Sequence, residues 1–322
     1  MGNIKVSVYC LAYNHERFIA QTIESILSQK TCFDFQLIIH DDASSDKTAA
    51  IVAEYSKKYP KLIVPIFQKE NQYSQGISIV QNYIYPKIQG DYIAICEGDD
   101  YWSNDNKLQL QYDFLSQNKN YSAVCHAAKK ISAVTDEELA EIRPFNCDMD
   151  CDMIDAIHGL GSSIATNSCF FRKNVYQELF RLKERLPQTG VGDYLLLVAA
   201  ANCGKIRYID KNMSVYRYGV PGSWTTKMKK SGKANKEHFL RKQEFFLEAL
   251  EKNIDKSFSN EVQDELEATR FEICLLDGNI KEIFSQYKSN YMKLSLKHKL
   301  KLYVRAMINC VSSFKRGSNA KN

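Results

Sequence analysis

Apolar and polar positions alternate in blocks along the first half of the chain. Lys5 to Leu11 is β-rich and apolar and predicts a strand. Ile19, Ile23, Ile26 and Leu27 then recur at i, i+4, i+7 and i+8, one face of a helix, with Asn14 ahead as an N-cap. Phe35 to His40 reads as a second strand. A helix from about Asp46 follows, with Ile51, Val52 and Tyr55 facing inward and Pro60 ending it. Leu62 to Phe67 predicts a third strand and Ile77 to Ile88 a helix that Pro86 shortens or kinks. Tyr92 to Cys96 predicts a fourth strand, and Asn106 to Leu115 another helix. Repeated β-α units of this kind build a mostly parallel sheet flanked by helices, with right-handed crossovers.

Beyond about residue 130 the pattern loosens. Asp136 to Asp155 reads as acidic and irregular, Ser168 to Arg172 as a strand, and Asp193 to Asn202 as a buried helix. Ile206 to Ile209 and Met213 to Tyr218 resemble a closing pair of strands, and from Lys233 onward every signal is helical.

Composition narrows the class. With 322 residues and 44% hydrophobic content, the chain can build one large α/β domain and a smaller helical appendage. A net charge of +5 is mildly basic and does not point to nucleic acid. The longest relevant apolar run, Leu195 to Ala201, is far short of the roughly 20 residues of a membrane-spanning helix. The start of the chain runs directly into a strand and lacks the basic, then apolar, pattern of a secretion signal. Ten scattered cysteines, several inside apolar runs, read as buried free thiols in a reducing compartment, which predicts a cytoplasmic protein. Cys147, Cys151 and His158 do not match zinc-site spacing.

Ligands of open parallel sheets bind at the carboxyl ends of the strands. Three polar clusters follow apolar runs directly: Ala12-Tyr13-Asn14-His15-Glu16, Asp41-Asp42-Ala43-Ser44-Ser45-Asp46, and Glu97-Gly98-Asp99-Asp100-Tyr101-Trp102. Adjacent carboxylates repel unless a cation or proton lies between them. Mg²⁺ and Mn²⁺ prefer oxygen ligands and are commonly held by a few carboxylates together with phosphate oxygens. The acidic pair therefore suits a cation held against a diphosphate; capping of the following helix is the plain alternative. Dinucleotide, P-loop and serine-hydrolase motifs are absent from the sequence.

VSVYCLAYNHERFIAQTIESILSQ, FQLIIHDDASSDKT and GDYIAICEGDDYW together resemble glycosyltransferase family 2, which has the GT-A (Rossmann-like) fold. The resemblance is strong over residues 4–115 and continues through GVGDYLLL and VYRYGVPGSWT to about 226. It implies a GT-A domain over 1–226, with 1–115 the nucleotide-binding half and 116–226 the acceptor half, followed by a helical region over 227–322. It implies donor contacts from Ala12, Tyr13, Asn14 and Glu16, with Tyr13 stacking on the base. One of Asp42 and Asp41, with Asp42 preferred, would accept from the base. Glu97-Gly98-Asp99-Asp100 stands where the family has D-x-D, so Asp99 and Asp100 are the implied Mn²⁺ or Mg²⁺ and donor contacts. Asp193, in a Gly-Asp where many members have Glu-Asp, is the implied catalytic base. Gly219 stands where members often carry a histidine after Tyr-Arg. Trp102 and Trp224 are candidates for the acceptor side, with ordinary packing as the alternative.

The resemblance further implies inverting transfer from a nucleotide-sugar, first of all a UDP-sugar, to a saccharide or lipid-linked saccharide in bacterial surface polysaccharide synthesis. The rival readings are a nucleotidyltransferase of similar architecture, whose Gly-rich loop AYNHER lacks, and a non-catalytic nucleotide-sugar-binding homologue. After Glu282 there is no acidic residue, while Met292, Leu296, Leu300, Val304, Met307 and Val311 recur at helical spacing beside Lys293, Lys297, Lys301 and Arg305. Such a basic amphipathic tail suits peripheral docking on an anionic membrane at its inner face, or else packing on the domain or a twin subunit in a homodimer.

Overall fold

A computed structural model describes residues 3–160, 164–186, 192–230, 232–296, 298–300 and 302. The chain divides into two compact units, Met1–Glu184 with Val191–Thr226, and Arg185–Gly190 with Lys227–Asn322.

The first unit is built on a curled sheet. Strands β1 (Val6–Ala12), β2 (Phe35–Asp41), β3 (Ile63–Phe67) and β4 (Tyr92–Ile95) are parallel, in the order β3-β2-β1-β4. β1 is central and buried on both faces, which is why its sequence is a near-continuous apolar run rather than an alternating one. Helices α1 (Ile19–Leu27) and α2 (Thr48–Lys58) connect these strands. Ile19, Ile23 and Ile26 of α1 join Val6, Val8, Leu37 and Ile39 in the main core, and each such side chain contributes about 1.5–3 kcal/mol on burial.

Past β4 the sheet becomes mixed. The order continues through β9 (Phe170–Arg172), β6 (Tyr121–Ser132) and β10 (Lys205–Tyr218) to the short β5 (Tyr101–Trp102). β9 runs antiparallel to both β4 and β6, whereas β6 and β10 are parallel. Because β9 runs the opposite way, its lead-in turn Thr166–Ser168 lies at the carboxyl ends of the parallel strands. Longer helices elsewhere in this unit are α3 (Lys107–Gln117), α4 (Lys173–Arg185), α5 (Gly192–Cys203) and α6 (Trp224–Lys230), which starts at its C-terminal edge.

Several expectations change. The helix expected over Ile77 to Ile88 is instead a π-turn, Val80–Ile84, followed by a 3₁₀ turn, Tyr85–Lys87. Pro86 has no N–H and its ring opposes the carbonyl four residues back, so a regular helix cannot run through it. The acidic stretch contains two edge strands, β7 (Glu138–Ile142) on β6 and β8 (Met149–Cys151) on β10. They are largely exposed and fastened by Lys129 to Glu138 and by Arg207 to Asp148 and Asp150, so they carry no apolar alternation. The two strands read at 206–209 and 213–218 are halves of β10, whose register against β6 slips between Ile209 and Ser214.

The second unit is helical: α7 (Lys233–Asn253), α8 (Ser259–Asp277), α9 (Ile280–Gln286) and α10 (Lys288–Lys293). Phe271, Cys274, Ile283, Tyr287, Tyr291 and Leu302 form one of its cores. The continuous amphipathic tail helix expected from the spacing is interrupted, because Leu294 is extended (φ −67, ψ 143). Met292, Leu296 and Leu300 are 65%, 86% and 71% exposed. Val304, Met307, Val311, Lys301 and Arg305 lie outside the described residues, as does Lys297.

Candidate active site

The three polar clusters meet at one sheet edge because β1 pairs with both β2 and β4. Ala12 stands opposite Asp41 in register, and the Asp42 N–H donates to the Ala12 carbonyl (3.0 Å). On the other side, the Gly98 N–H donates to the Leu11 carbonyl (2.9 Å).

The first two loops are laced together. The Asn14 N–H donates to Ser44 Oγ (2.9 Å), and Asn14 Oδ1 accepts from the Ser45 N–H (2.8 Å). The Glu16 N–H donates to Asp46 Oδ2 (3.0 Å), and Glu16 Oε2 accepts from the Lys47 N–H (2.9 Å). Asn14 takes a left-handed conformation (φ 56), one that asparagine tolerates better than most residues. Asn14 and Glu16 thus brace the loops, while Tyr13, 44% exposed, presents its ring at the rim.

Asp41 and Asp42 have different environments. Asp42 Oδ1 accepts from the Gln72 N–H (2.8 Å) and Oδ2 from the Tyr73 N–H (3.0 Å), so this carboxylate holds the 72–73 turn. Asp41 accepts from the Ser44 N–H through Oδ2 (3.1 Å), and its buried Oδ1 has no partner. The sequence reading preferred Asp42 as the base contact; the geometry leaves Asp41 with the available oxygen.

Asp99 and Asp100 differ in the same way. Asp100 is buried, accepting from Asn167 Nδ2 (2.8 Å) through Oδ2 and from the Arg217 N–H (2.8 Å) through Oδ1. Burial, then the neighbouring charges of Asp99 and Glu97, push its pKa up. Asn167, itself fully buried, also accepts from Ser214 Oγ (2.6 Å) and receives Trp102 Nε1 on its carbonyl (3.0 Å). Arg217 is sandwiched by the rings of Phe18 (4.9 Å) and Tyr101 (4.7 Å), donates to the Asp99 carbonyl (2.7 Å), and hydrogen-bonds Gln21. Asp100 is therefore an internal strut between β10 and the acidic loop. The Asp99 carboxylate makes no side-chain hydrogen bond among the described residues; His15 Nε2 is 3.9 Å from its Oδ2.

Glu97 is half-buried, and its Oε2 has no partner. Burial first, then the charges of Asp193 and Asp99, push its carboxyl up to about 8. Asp193 sits in the first turn of α5 and accepts from Thr166 Oγ1 (3.1 Å). It stays open to solvent, yet the protein around it strips enough water from the carboxylate to raise its pKa, with the Thr166 hydrogen bond acting against that rise.

For Trp102 the packing alternative holds. It is 3% exposed, belongs to the main core, and has the Lys107 ammonium over its ring at 4.1 Å, so no face is left for a sugar. Trp224, at the start of α6, is 45% exposed. Sequence reasoning missed His15, Thr166, Asn167 and Arg217 as site residues. His15 stood inside a quoted cluster and Arg217 inside the Tyr-Arg pair; Thr166 and Asn167 carry no local signal.

Among the described residues, no three His, Cys, Asp or Glu side chains converge to hold a metal ion by themselves. Asp99 and Glu97 do offer uncommitted carboxylate oxygens, and a hard divalent ion that takes one or two carboxylates completes its shell with phosphate oxygens and water. The residues present fit an ion that arrives with a diphosphate.

An uncharacterized Mycobacterium tuberculosis protein, Rv1520, is 30% identical over 222 residues, which is 68% of this chain and 60% of that relative's own length. The chain thus spans less than two thirds of such relatives. The Escherichia coli UDP-Glc:α-D-GlcNAc-diphosphoundecaprenol β-1,3-glucosyltransferase WfgD is 33% identical over 118 residues, 37% of this chain and 44% of WfgD. Among solved structures, Staphylococcus aureus TarS 1–349 in complex with UDP-GlcNAc superposes with a TM-score of 0.62 at 17% identity, covering 93% of this chain and 78% of that one. This likeness identifies the GT-A fold, with its C-terminal helices as expected. The family model described as glycosyl transferase family 2 matches residues 7–180. This protein belongs to glycosyl transferase family 2.

Proposed function

We propose that the protein is an inverting glycosyltransferase that moves a sugar from a nucleotide-sugar, foremost a UDP-sugar, to a saccharide or lipid-linked saccharide in bacterial surface polysaccharide synthesis. One observation supports the reading most: Glu97 lies within electrostatic reach of Asp99 and Asp193, His15 lies within reach of Asp99 and Asp41, and Asp41 and Glu97 each keep a buried carboxylate oxygen without a partner. The donor and acceptor named for WfgD, and the UDP-GlcNAc bound to TarS, support the same classes here.

In this reading, residues 1–115 hold the nucleotide and 116–226 the acceptor. Tyr13 stacks on the base from the Ala12-Tyr13-Asn14 loop, Asp41 Oδ1 accepts from the base N–H, and Asn14 and Glu16 keep the cradle rigid. Asp99, with Glu97 as the alternative carboxylate, would hold Mn²⁺ or Mg²⁺, an ion that would supply charge neutralisation for the leaving diphosphate. Asp100 braces the loop that carries Asp99. An acceptor hydroxyl is a weak nucleophile at neutral pH. Asp193 takes its proton as the new glycosidic oxygen–carbon bond forms and the anomeric carbon–phosphate oxygen bond breaks. One base and no enzyme nucleophile give a single displacement with inversion. Trp224, exposed at the start of α6, is the remaining aromatic candidate for the acceptor.

The test is a thermal-shift and product-release panel of UDP-, GDP- and dTDP-sugars with Mn²⁺, wild type beside Asp193→Ala. Stabilisation by a UDP-sugar with UDP release only in the wild type supports the reading. UDP-sugar binding with equal, negligible release in both proteins favours a non-catalytic homologue, and no binding of any donor overturns the proposal.

Docking at the cytoplasmic face of the membrane accompanies this function. No helix among the described residues is long and apolar enough to cross a membrane. The exposed Met292, Leu296 and Leu300 accompany a segment that has nine Lys or Arg and no Asp or Glu after Glu282, a composition that suits anionic headgroups. Co-sedimentation with anionic but not neutral vesicles, lost on Leu296→Glu with Leu300→Glu, is the expected result; equal sedimentation of wild type and variant would count against it.

A further inference from the structure

His15 occupies a position that the function above leaves unexplained. Its ring lies between the nucleotide cradle and the acidic loop, with Nε2 3.9 Å from Asp99 Oδ2 and the charges of Asp46 and Asp41 also acting on it. Its Nδ1 is buried without a partner. The backbone of His15 is fixed on both sides. The His15 N–H donates to Thr48 Oγ1 (2.8 Å), and its carbonyl accepts from the Phe18 and Ile19 N–H groups (2.9 Å each) at the start of α1. Gly98 presses on the ring, since a Cβ there would come within 2.8 Å of Nδ1.

The 3.9 Å separation is informative. It is too long for a hydrogen bond, which ends near 3.2 Å. It is shorter than the sum of two bonds of about 2.0–2.1 Å, the lengths with which nitrogen and oxygen ligands meet a small divalent ion. The pair therefore stands close enough to share one ion and too far apart to satisfy each other. Two other buried imidazoles each use one ring nitrogen elsewhere, His40 Nε2 on Gln68 (3.0 Å) and His126 Nδ1 on the Ala127 carbonyl (2.8 Å), and their second nitrogens are unpartnered like His15 Nδ1. The loop after β10 offers Gly219 (φ 92) and no imidazole.

We infer that His15 Nε2 is a ligand of the divalent ion, beside Asp99, so that the nucleotide loop itself closes the metal site. This rests on the donor reading above, with the diphosphate supplying further oxygens. Gly98 then acts as a positioning residue, because any side chain there displaces the ring.

The test reads the ion directly. Full-length protein is loaded with Mn²⁺ and UDP and examined by electron spin-echo envelope modulation, with natural-abundance and then ¹⁵N-histidine-labelled protein. Imidazole ¹⁴N modulation that is replaced by ¹⁵N on labelling and disappears in His15→Gln is the expected result. The variant should also weaken Mn²⁺ binding at least ~10-fold, since losing even an outer-shell partner commonly weakens metal binding by 10–100-fold. Mn²⁺ bound with UDP but without histidine modulation in the wild type overturns the inference and leaves the donor reading standing. Failure of the wild type to bind Mn²⁺ in the presence of UDP overturns both. Because the decisive spectrum is that of the wild type, a misfolded variant does not remove the test.

Discussion

Thr166 Oγ1 donates to Asp193 Oδ2 over 3.1 Å, joining the turn before β9 to the first turn of α5. This hydrogen bond favours the charged carboxylate and opposes the rise that desolvation imposes. If Asp193 is the base, Asp193→Asn should lower kcat by at least ~100-fold with Mn²⁺–UDP binding retained. Thr166→Val should lower kcat less and move the acid limb of the kcat/KM profile to higher pH, because the carboxylate loses a stabilising donor. An unmoved acid limb would mean that this bond does not tune the base.

Asp41 and Asp42 should separate ligand binding from stability. Asp42→Asn turns an NH₂ toward one of two backbone N–H groups at Gln72 and Tyr73, leaving it unsatisfied; the expected loss is about 1–3 kcal/mol. Asp41→Asn keeps an acceptor for Ser44 and should leave the melting temperature nearly unchanged while weakening UDP binding at least about tenfold, the low end of the roughly 1.5–3 kcal/mol of a charge-assisted hydrogen bond. Calorimetric melting and UDP titration of both variants check this, and the reverse pattern would restore Asp42 as the base contact.

Lys107, in α3, is fully buried, with Nζ on Gln111 Oε1 (2.8 Å) and over the Trp102 ring. Burial pushes its ammonium from the ordinary 10.5 down to about 7. Between these values the unfolded chain holds the extra proton, so this group makes unfolding more costly as pH rises from 7 toward 10.5 and loses that contribution as pH falls back through 7. Urea unfolding of wild type and Lys107→Met at pH 6.5 and about 9.5 should show a gain in the wild type that the variant lacks.

Glu97 has the opposite sign. Its carboxyl is raised from 4.5 to about 8, so its favourable contribution is complete below 4.5 and is lost as pH climbs through 8. Metal-free Glu97→Gln should therefore lose less stability than wild type between pH 5 and about 8.5 in the same urea experiment. Parallel curves for the two proteins would show that Glu97 is not buried against Asp193 and Asp99 in solution.

Much of the first unit was legible because buried parallel strands are written as apolar runs and their helices as 3.6-residue stripes; β1, β2, α1 and α2 follow those signals closely, although Asn14 bonds Ser45 and the N-cap of α1 is Phe18. The edge strands β7 and β8 were illegible because ion pairs, not apolar faces, fasten them. Trp102 looked like an acceptor aromatic until Lys107 and Asn167 closed over it.

The order of residues alone determined where chemistry would collect, since a polar cluster directly after an apolar strand must emerge at that strand's carboxyl end. Only the tertiary structure decided which member of each acidic pair keeps free oxygens. Asp41 and Asp42, like Asp99 and Asp100, are chemically alike neighbours; the groups that occupy Asp42 and Asp100 come from Gln72, Tyr73, Asn167 and Arg217. Hydrogen-bonding capacity is spent through contacts that sheet register brings in from distant parts of the chain, and local spacing carries no record of them.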